Sequence, residues 1–312
     1  GLALESVLAK TEADNSFFSV YNLPKKAFEG NKWMLPTRKD HAIEKALHSL
    51  PKITHYANVK LGYISSCDKV FLVSTEHVPS EERAIYRPLV RDREVSRYVL
   101  PKFASVWGFY PFVEDELLTL EAIAEWFPQT WDYLESHKET LKARRAVEKG
   151  EIEWWEPERP RKPKEILRPK IVTPHLCVRP KFALDLEGHR LPSHTPFVVM
   201  GEKEVREGLE EPMLKVICAC LNSSVGSWYL SMHGFAYGKG YMRWEKSNLA
   251  GFPIPDFERV EKRRFEEVVR TVDAFIEEGE EVDKAMELDR LILEMYGIDD
   301  SEVRRWINVD EF

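Results

Sequence analysis

At 312 residues, 43% hydrophobic and 31% charged, the chain has the composition of a soluble globular protein, long enough for its core to split into two lobes. No uninterrupted apolar run approaches the ~20 residues that cross a bilayer, which excludes a helical membrane protein. The formal net charge of −8 is uneven: from Asp256 onward 19 acidic residues face 9 basic ones, a balance of −10, so residues 1–255 carry +2 and a polyanionic partner there is not excluded.

The opening GLALESVLAKTEADNSFF scatters Glu5, Glu12 and Asp14 among apolar residues, where a signal peptide has a basic start and an apolar block. A cytoplasmic location is the expectation. Asp40 can cap a helix over HAIEKALHSL, whose Ile43, Ala46, Leu47 and Leu50 recur at helical spacing until Pro51. The runs ITHYANV, KVFLVS, AIYRPLV and WGFYPF, separated by polar breaks, predict short strands. Pro128 opens a helix that Gly150 stops. PERPRKPKEILRPK has four prolines and no period, so it reads as an extended arm or exposed loop.

Strands resume in KIVTP, PKFALDL and PFVVMG, with Glu187-Gly188 as a hairpin turn. Pro212 begins a largely buried helix, MLKVICACLNSSVGSWYL, ended by the glycines of HGFAYGKG. After the apolar loop LAGFPIPD come two amphipathic helices, the first carrying Val260, Phe265, Val268, Val272 and Phe275, the second MELDRLILEMY. The fold class is α+β: a β-rich lobe over residues 1–255 with flanking helices, then an acidic helical tail over residues 256–312.

Catalytic signatures are missing. The chain has no GxGxxG, Walker loop, GxSxG or CxxC, and its nine histidines form no ligand cluster, so neither a cofactor-binding nor a metal-binding residue is assigned. The adenine-gripping tetrapeptide NPPY or DPPY and a glycine-rich turn for S-adenosylmethionine are also missing. Cys218 and Cys220, inside VICACL, read as small buried hydrophobes in a reducing compartment, and Cys67 and Cys177 stand alone.

Two segments are strongly basic: Arg83 to Lys102 with net +4, and Pro157 to Lys181 with net +6. In the first, Arg87, Arg91, Arg93 and Arg97 all have odd numbers, so an uninterrupted strand would place them on one face as a basic stripe; the bland reading pairs them with Asp92 and Glu94. In the second, Arg159, Arg161, Lys162, Lys164, Arg168 and Lys170 lie on a proline-stiffened arm suited to tracking a phosphate backbone, or on a basic linker. Lys239 and Arg243, in GKGYMRW, sit on a stretch that can approach DNA closely or simply turn between a helix and a strand. Trp154-Trp155 reads mainly as core packing, and LNS and FPIP as structural features.

In order and spacing, these segments resemble the C-terminal target-recognition region of adenine-specific DNA methyltransferases, of the kind found in fused (type IIG-like) restriction-modification proteins and phage-defence methylases. That family has a phrase like VRGRDIxRY, a YLxxxxxxLxxR helix, a WW before a basic proline-rich segment, a PKIV strand, a helix with LNS, and a PIP before two closing helices. Here these are Val90 to Tyr98, Tyr133 to Arg144, Trp154-Trp155, Pro169 to Val172, Leu221-Asn222-Ser223 and Pro253-Ile254-Pro255, with Asp92 in place of the glycine and Glu94 in place of the aspartate. The tail ELDRLILEMYGIDDSEVRRWI is similar to the closing pair of helices.

The resemblance implies a module that grips double-stranded DNA and presents one adenine to a methyltransferase catalytic domain or subunit, which would use S-adenosylmethionine; that catalytic half is not in this sequence. The residues agree, since Arg and Lys on strands and loops supply the cations and planar donors that phosphates and guanine edges require. A stand-alone specificity subunit fits the same features. From other classes, a metal-dependent nuclease would need convergent carboxylates near the basic surface, and a protein-interaction scaffold would use the basic patches on acidic proteins.

Overall fold

A computed structural model describes residues 37–201 and 209–298, together with residue 9 and two short paired segments, Ala13–Asp14 and Ser19–Val20. The rest of the N-terminal stretch read against a signal peptide, and the second closing helix, lie outside the described residues. The observed architecture is α+β. Its main strands, in chain order, are β1 (Ala57–Leu61), β2 (Leu72–Ser74), β3 (Tyr86–Val90), β4 (Val106–Phe109), β5 (Lys170–Val172), β6 (Ala183–Asp185), β7 (Leu191–Pro192) and β8 (Pro196–Met200).

The strands form two sheets. The first, ordered β6-β5-β8-β1, is antiparallel throughout, with Val198 of β8 opposite Val59 on one side and Ile171 on the other. The second, ordered β7-β3-β4-β2, is antiparallel except that β7 runs parallel to β3. Every residue of β8 is buried, the near-continuous apolar pattern of a central strand covered on both faces. Its alternation divides the molecule: Phe197 and Val199 point into a core shared with the second sheet, Val198 and Met200 into a core shared with helices. Glu187-Gly188 is not a hairpin turn, because the chain leaves β6 for the other sheet and β7 pairs with β3. Gly188 sits at φ +71°, where a Cβ would lie 2.4 Å from the Arg168 backbone, so turn conformation and crowding both call for glycine.

The longer helices are α1 (Arg38–Leu47), α2 (Leu120–Trp126), α3 (Pro128–Ser136), α4 (Glu210–Asn222), α5 (Ser224–His233), α6 (Lys262–Glu278) and α7 (Val282–Met295). Thr37, not Asp40, caps α1: its hydroxyl accepts from the Asp40 amide while the Asp40 carboxylate accepts from the Thr37 amide, a reciprocal capping box. The long helix expected from Pro128 is three pieces, α3, Lys138–Lys142 and Arg145–Glu148. At the second break Arg144 turns inward and donates to the carbonyls of Leu141, Glu156 and Trp154 at 2.7–2.9 Å, which closes the third core over Trp154 and Trp155. The predicted buried helix after Pro212 likewise breaks, at Ser223, whose hydroxyl caps α5.

Among the described residues, the acidic tail shares its core with the lobe. Val268, Val272 and Phe275 of α6 and Leu288, Leu291 and Ile292 of α7 bury into the same cluster as Ile43, Val59, Val198 and Leu214, so residue 255 is not a boundary between hydrophobic cores. The FPIP loop docks between them as expected of a structural element: the Ile254 amide donates to the Pro51 carbonyl and the Tyr296 hydroxyl to that of Pro253.

Candidate nucleic-acid interface

The four odd-numbered arginines do not form a stripe, because β3 stops at Val90 and the chain enters a single 3-10 turn, Asp92–Glu94. The Glu94 carboxylate builds this turn by accepting from the Arg91 amide and from the Ser105 amide and hydroxyl. Arg91 and Arg93 project from it, exposed. Arg87 is half-buried: its guanidinium donates to the carbonyls of Ala84 and Tyr86, lies over the Tyr110 ring, and has its pKa lowered by burial. Arg97 pairs with Glu280 at 3.1 Å and so ties the turn region to the link between α6 and α7. Two of the four are therefore fastened into the fold and two are presented.

The proline-rich arm divides in the same way. Lys170 is the clear correction: its side chain is 0% exposed and bonds Asp185, directly opposite it in the β5–β6 register, at 2.7 Å. Burial lowers the Lys170 pKa and the Asp185 charge opposes that shift. Asp185 also accepts from the amides of Gly188 and Arg190, so the pair organises the strand end rather than a phosphate. Arg168 reaches Glu210 in the first turn of α4 at 3.0 Å, and Lys164 reaches Asp115 at 3.7 Å. Arg159 is exposed beside Glu158, and Lys162 is exposed with no ion-pair partner among the described residues.

Arg161 is different. Its backbone is held at φ +64°, a region non-glycine residues rarely adopt, and the Tyr110 hydroxyl donates to its carbonyl at 2.6 Å. The side chain lines a groove of about 360 Å³ with Lys60, Lys246, Glu165 and Phe197. Three cations and one carboxylate thus share a cleft beside the edge strand β1. Lys60 and Lys246 were not picked out from the sequence: they lie far apart in the chain and carry no local motif.

A hairpin follows α5: β9 (Phe235–Gly238) pairs with β10 (Tyr241–Arg243), and Phe235 stands opposite Arg243. The turn residues Lys239 and Gly240 have φ +51° and +79°, the two positive values of a type I′ turn, so GKGYM turns between two strands. Met242 exchanges backbone hydrogen bonds with Cys177, and Trp244 is buried against Phe182, Tyr229 and Phe252. Arg243 pairs with Glu245, whereas Lys239 stands exposed at the tip.

The hairpin, the loop after β5 and the Arg91–Arg93 turn converge. His175 lies against His194, ring centroids 4.6 Å apart and planes tilted by 57°. Burial first, then the His194 and Arg243 charges, push its imidazole pKa down against the opposing fields of Asp92 and Glu245. Asp92 and Lys181 also act on the Cys177 thiol, which burial drives up to about 12. Arg93, Arg179, Lys181 and Lys239 belong to these three segments, and each is exposed and without an ion-pair partner among the described residues. Among those residues no three His, Cys, Asp or Glu side chains converge as metal ligands, and no helix is long and apolar enough to cross a membrane.

An α+β body of two small sheets with a cationic, loop-built face defines the class as far as geometry goes. No family model matches the chain. It is similar to two curated proteins: the type II methyltransferase M.BanIII of Aneurinibacillus aneurinilyticus, at 23% identity over 70% of this chain and 38% of that protein, and the type II methyltransferase M.BstVI of Geobacillus stearothermophilus, at 21% identity over 87% of this chain and 45% of that protein. The chain therefore spans less than half the length of either relative. Among solved structures it is similar to the type IIG restriction endonuclease BpuSI, with TM-score 0.46 and 13% identity over 83% of this chain and 33% of that one.

Proposed function

We propose that the chain is the double-stranded DNA target-recognition part of a restriction-modification protein that methylates adenine at N6. What supports this reading is that the 173–181 loop and the Lys239 hairpin are joined by the Cys177–Met242 backbone pair and, with the Arg91–Arg93 turn, present exposed cations on an acidic protein. Base readout needs donors on rigid loops that can enter a groove; here the turn is fastened by the Glu94 carboxylate, and the 173–181 loop and hairpin by the Cys177–Met242 backbone pair. Methyl transfer belongs to a methyltransferase domain or subunit outside these residues, which would hold S-adenosylmethionine and receive the extruded adenine. The similarity to type II methyltransferases supports this partner.

Duplex DNA binding over a salt series tests the reading. Log affinity should fall linearly with log salt, by about 0.9 for each phosphate neutralised. A flat response, or no binding at low salt, removes the DNA reading in favour of a protein-interaction role.

A further inference from the structure

Three large exposed hydrophobic side chains crowd onto the β9–β10 hairpin: Phe235, Tyr237 and Tyr241 are 48%, 65% and 44% exposed. A bulge falls at Tyr237, between the Ala236–Met242 and Gly238–Tyr241 pairs, and Met242 is the residue that packs back onto the core. Both ends of the hairpin are fixed. The Gly234 amide donates to the Leu230 carbonyl, and the Asn248 side chain ties entry to exit by donating to the His233 carbonyl and accepting from the Glu245 amide. No atom lies within 4 Å of where a Cβ would stand on Gly238 or Gly240, so the tip is in open space.

The surroundings select the occupant. From Phe235 to Trp244 the hairpin has Lys239 and Arg243 and no carboxylate, and the facing 173–181 loop adds Arg179 and Lys181 and again no carboxylate. Glu245, just past the hairpin, holds Arg243, which leaves Lys239, Arg179 and Lys181 without ion-pair partners among the described residues. Flat π surfaces beside such cations match nucleobases attached to phosphates, since stacking on an aromatic ring tolerates any base and the cations take the backbone. We infer that the hairpin is a stacking arm: Phe235, Tyr237 and Tyr241 pack on nucleobases that have lost a stacking neighbour in the bound duplex, and Lys239 holds an adjacent phosphate. The inference rests on the DNA-recognition reading and adds that the ligand is locally unstacked DNA rather than an undistorted duplex.

The test compares two duplexes of one sequence, one fully paired and one with a single abasic site, binding to the full 312-residue chain by fluorescence anisotropy. The chain should bind the interrupted duplex roughly tenfold tighter, and Tyr237→Ala combined with Tyr241→Ala should abolish that preference while leaving paired-duplex affinity within about twofold. Arg91→Ala with Arg93→Ala should weaken both duplexes alike. Equal binding of the two duplexes by the unaltered chain, or an aromatic variant that keeps the preference or loses both affinities equally, overturns the stacking arm while leaving DNA recognition standing. Self-association that the tyrosine variant abolishes, seen by sedimentation, also overturns it, and failure of every form to bind either duplex removes the underlying reading instead. Circular dichroism of the variant confirms folding, since the substituted rings are exposed.

Discussion

Lys170 and Arg93 carry the same charge in neighbouring basic segments, yet their surroundings give them opposite roles. Lys170 is sealed against Asp185, and truncating one partner of a buried pair leaves the other charge without compensation. Lys170→Ala should therefore destabilise the fold by about 3–5 kcal/mol, read as a lowered denaturation midpoint. Arg91→Ala with Arg93→Ala removes exposed side chains, so stability should stay within about 0.5 kcal/mol while the salt slope of DNA binding falls by about 2. A midpoint shift in the arginine variant, with binding unchanged, would assign the turn to folding. The cysteines give a pH prediction. Burial drives the Cys177 and Cys220 thiols up to about 12 from 9.0, and raises Cys218 as well. The unfolded chain releases these protons first, so their contribution to stability is complete below the unfolded value and is lost as pH rises from about 9 towards 12. Urea midpoints should drop between about pH 8 and about pH 10, less steeply once Cys177 and Cys220 are replaced by Ala.

Secondary-structure elements show where sequence periodicity stops being informative. The helical spacing of Trp131, Leu134 and Leu141 is real, and Leu134 and Leu141 are fully buried, but the helix is cut because Arg144 has better partners in loop carbonyls than in solvent. The start of α3 is capped from a distance. Glu82, 3% exposed and 47 residues upstream, accepts from the amides of Gln129 and Thr130 at 2.8 Å. Glu82→Ala leaves those donors unpaired in a buried site and should cost about 1–3 kcal/mol, whereas Glu82→Gln keeps an acceptor and should cost less. Equal losses would show that charge, not the hydrogen bonds, holds the cap. Several motif residues other than Arg91 and Arg93 are scaffold. Tyr133 donates to the Val70 carbonyl, Asn222 of LNS exchanges hydrogen bonds with the Phe182 backbone, and Tyr98 packs in the core on Phe275 with its backbone at φ +66°.

At the scale of the molecule, the tail is a structural partner of the lobe. A chain ending at Pro255 would strip Val268, Val272, Phe275, Leu288 and Ile292 from the core that also holds β8 and α4. It should lack cooperative unfolding and expose dye-binding apolar surface, while a separately folded tail would leave the remainder with a sharp transition. Apart from the buried Asp289, the acidic residues of α6 and α7 thus lie away from the inner faces that complete the lobe, and the exposed cations of the turn, loop and hairpin lie elsewhere.

The sequence by itself determined the α+β class, the burial of Trp154 and Trp155, the structural role of LNS and FPIP, and the two basic segments, because composition, period and turn chemistry are local properties. Only the tertiary structure decided which cations are presented. Lys170 and Arg93 differ through Asp185, Arg87 and Arg91 through the point where β3 ends, and Lys60 and Lys246 become neighbours of Arg161 only when β1 meets the arm. Whether a charge faces solvent or an opposite charge is set by contacts between residues distant in the chain, and no local spacing encodes them.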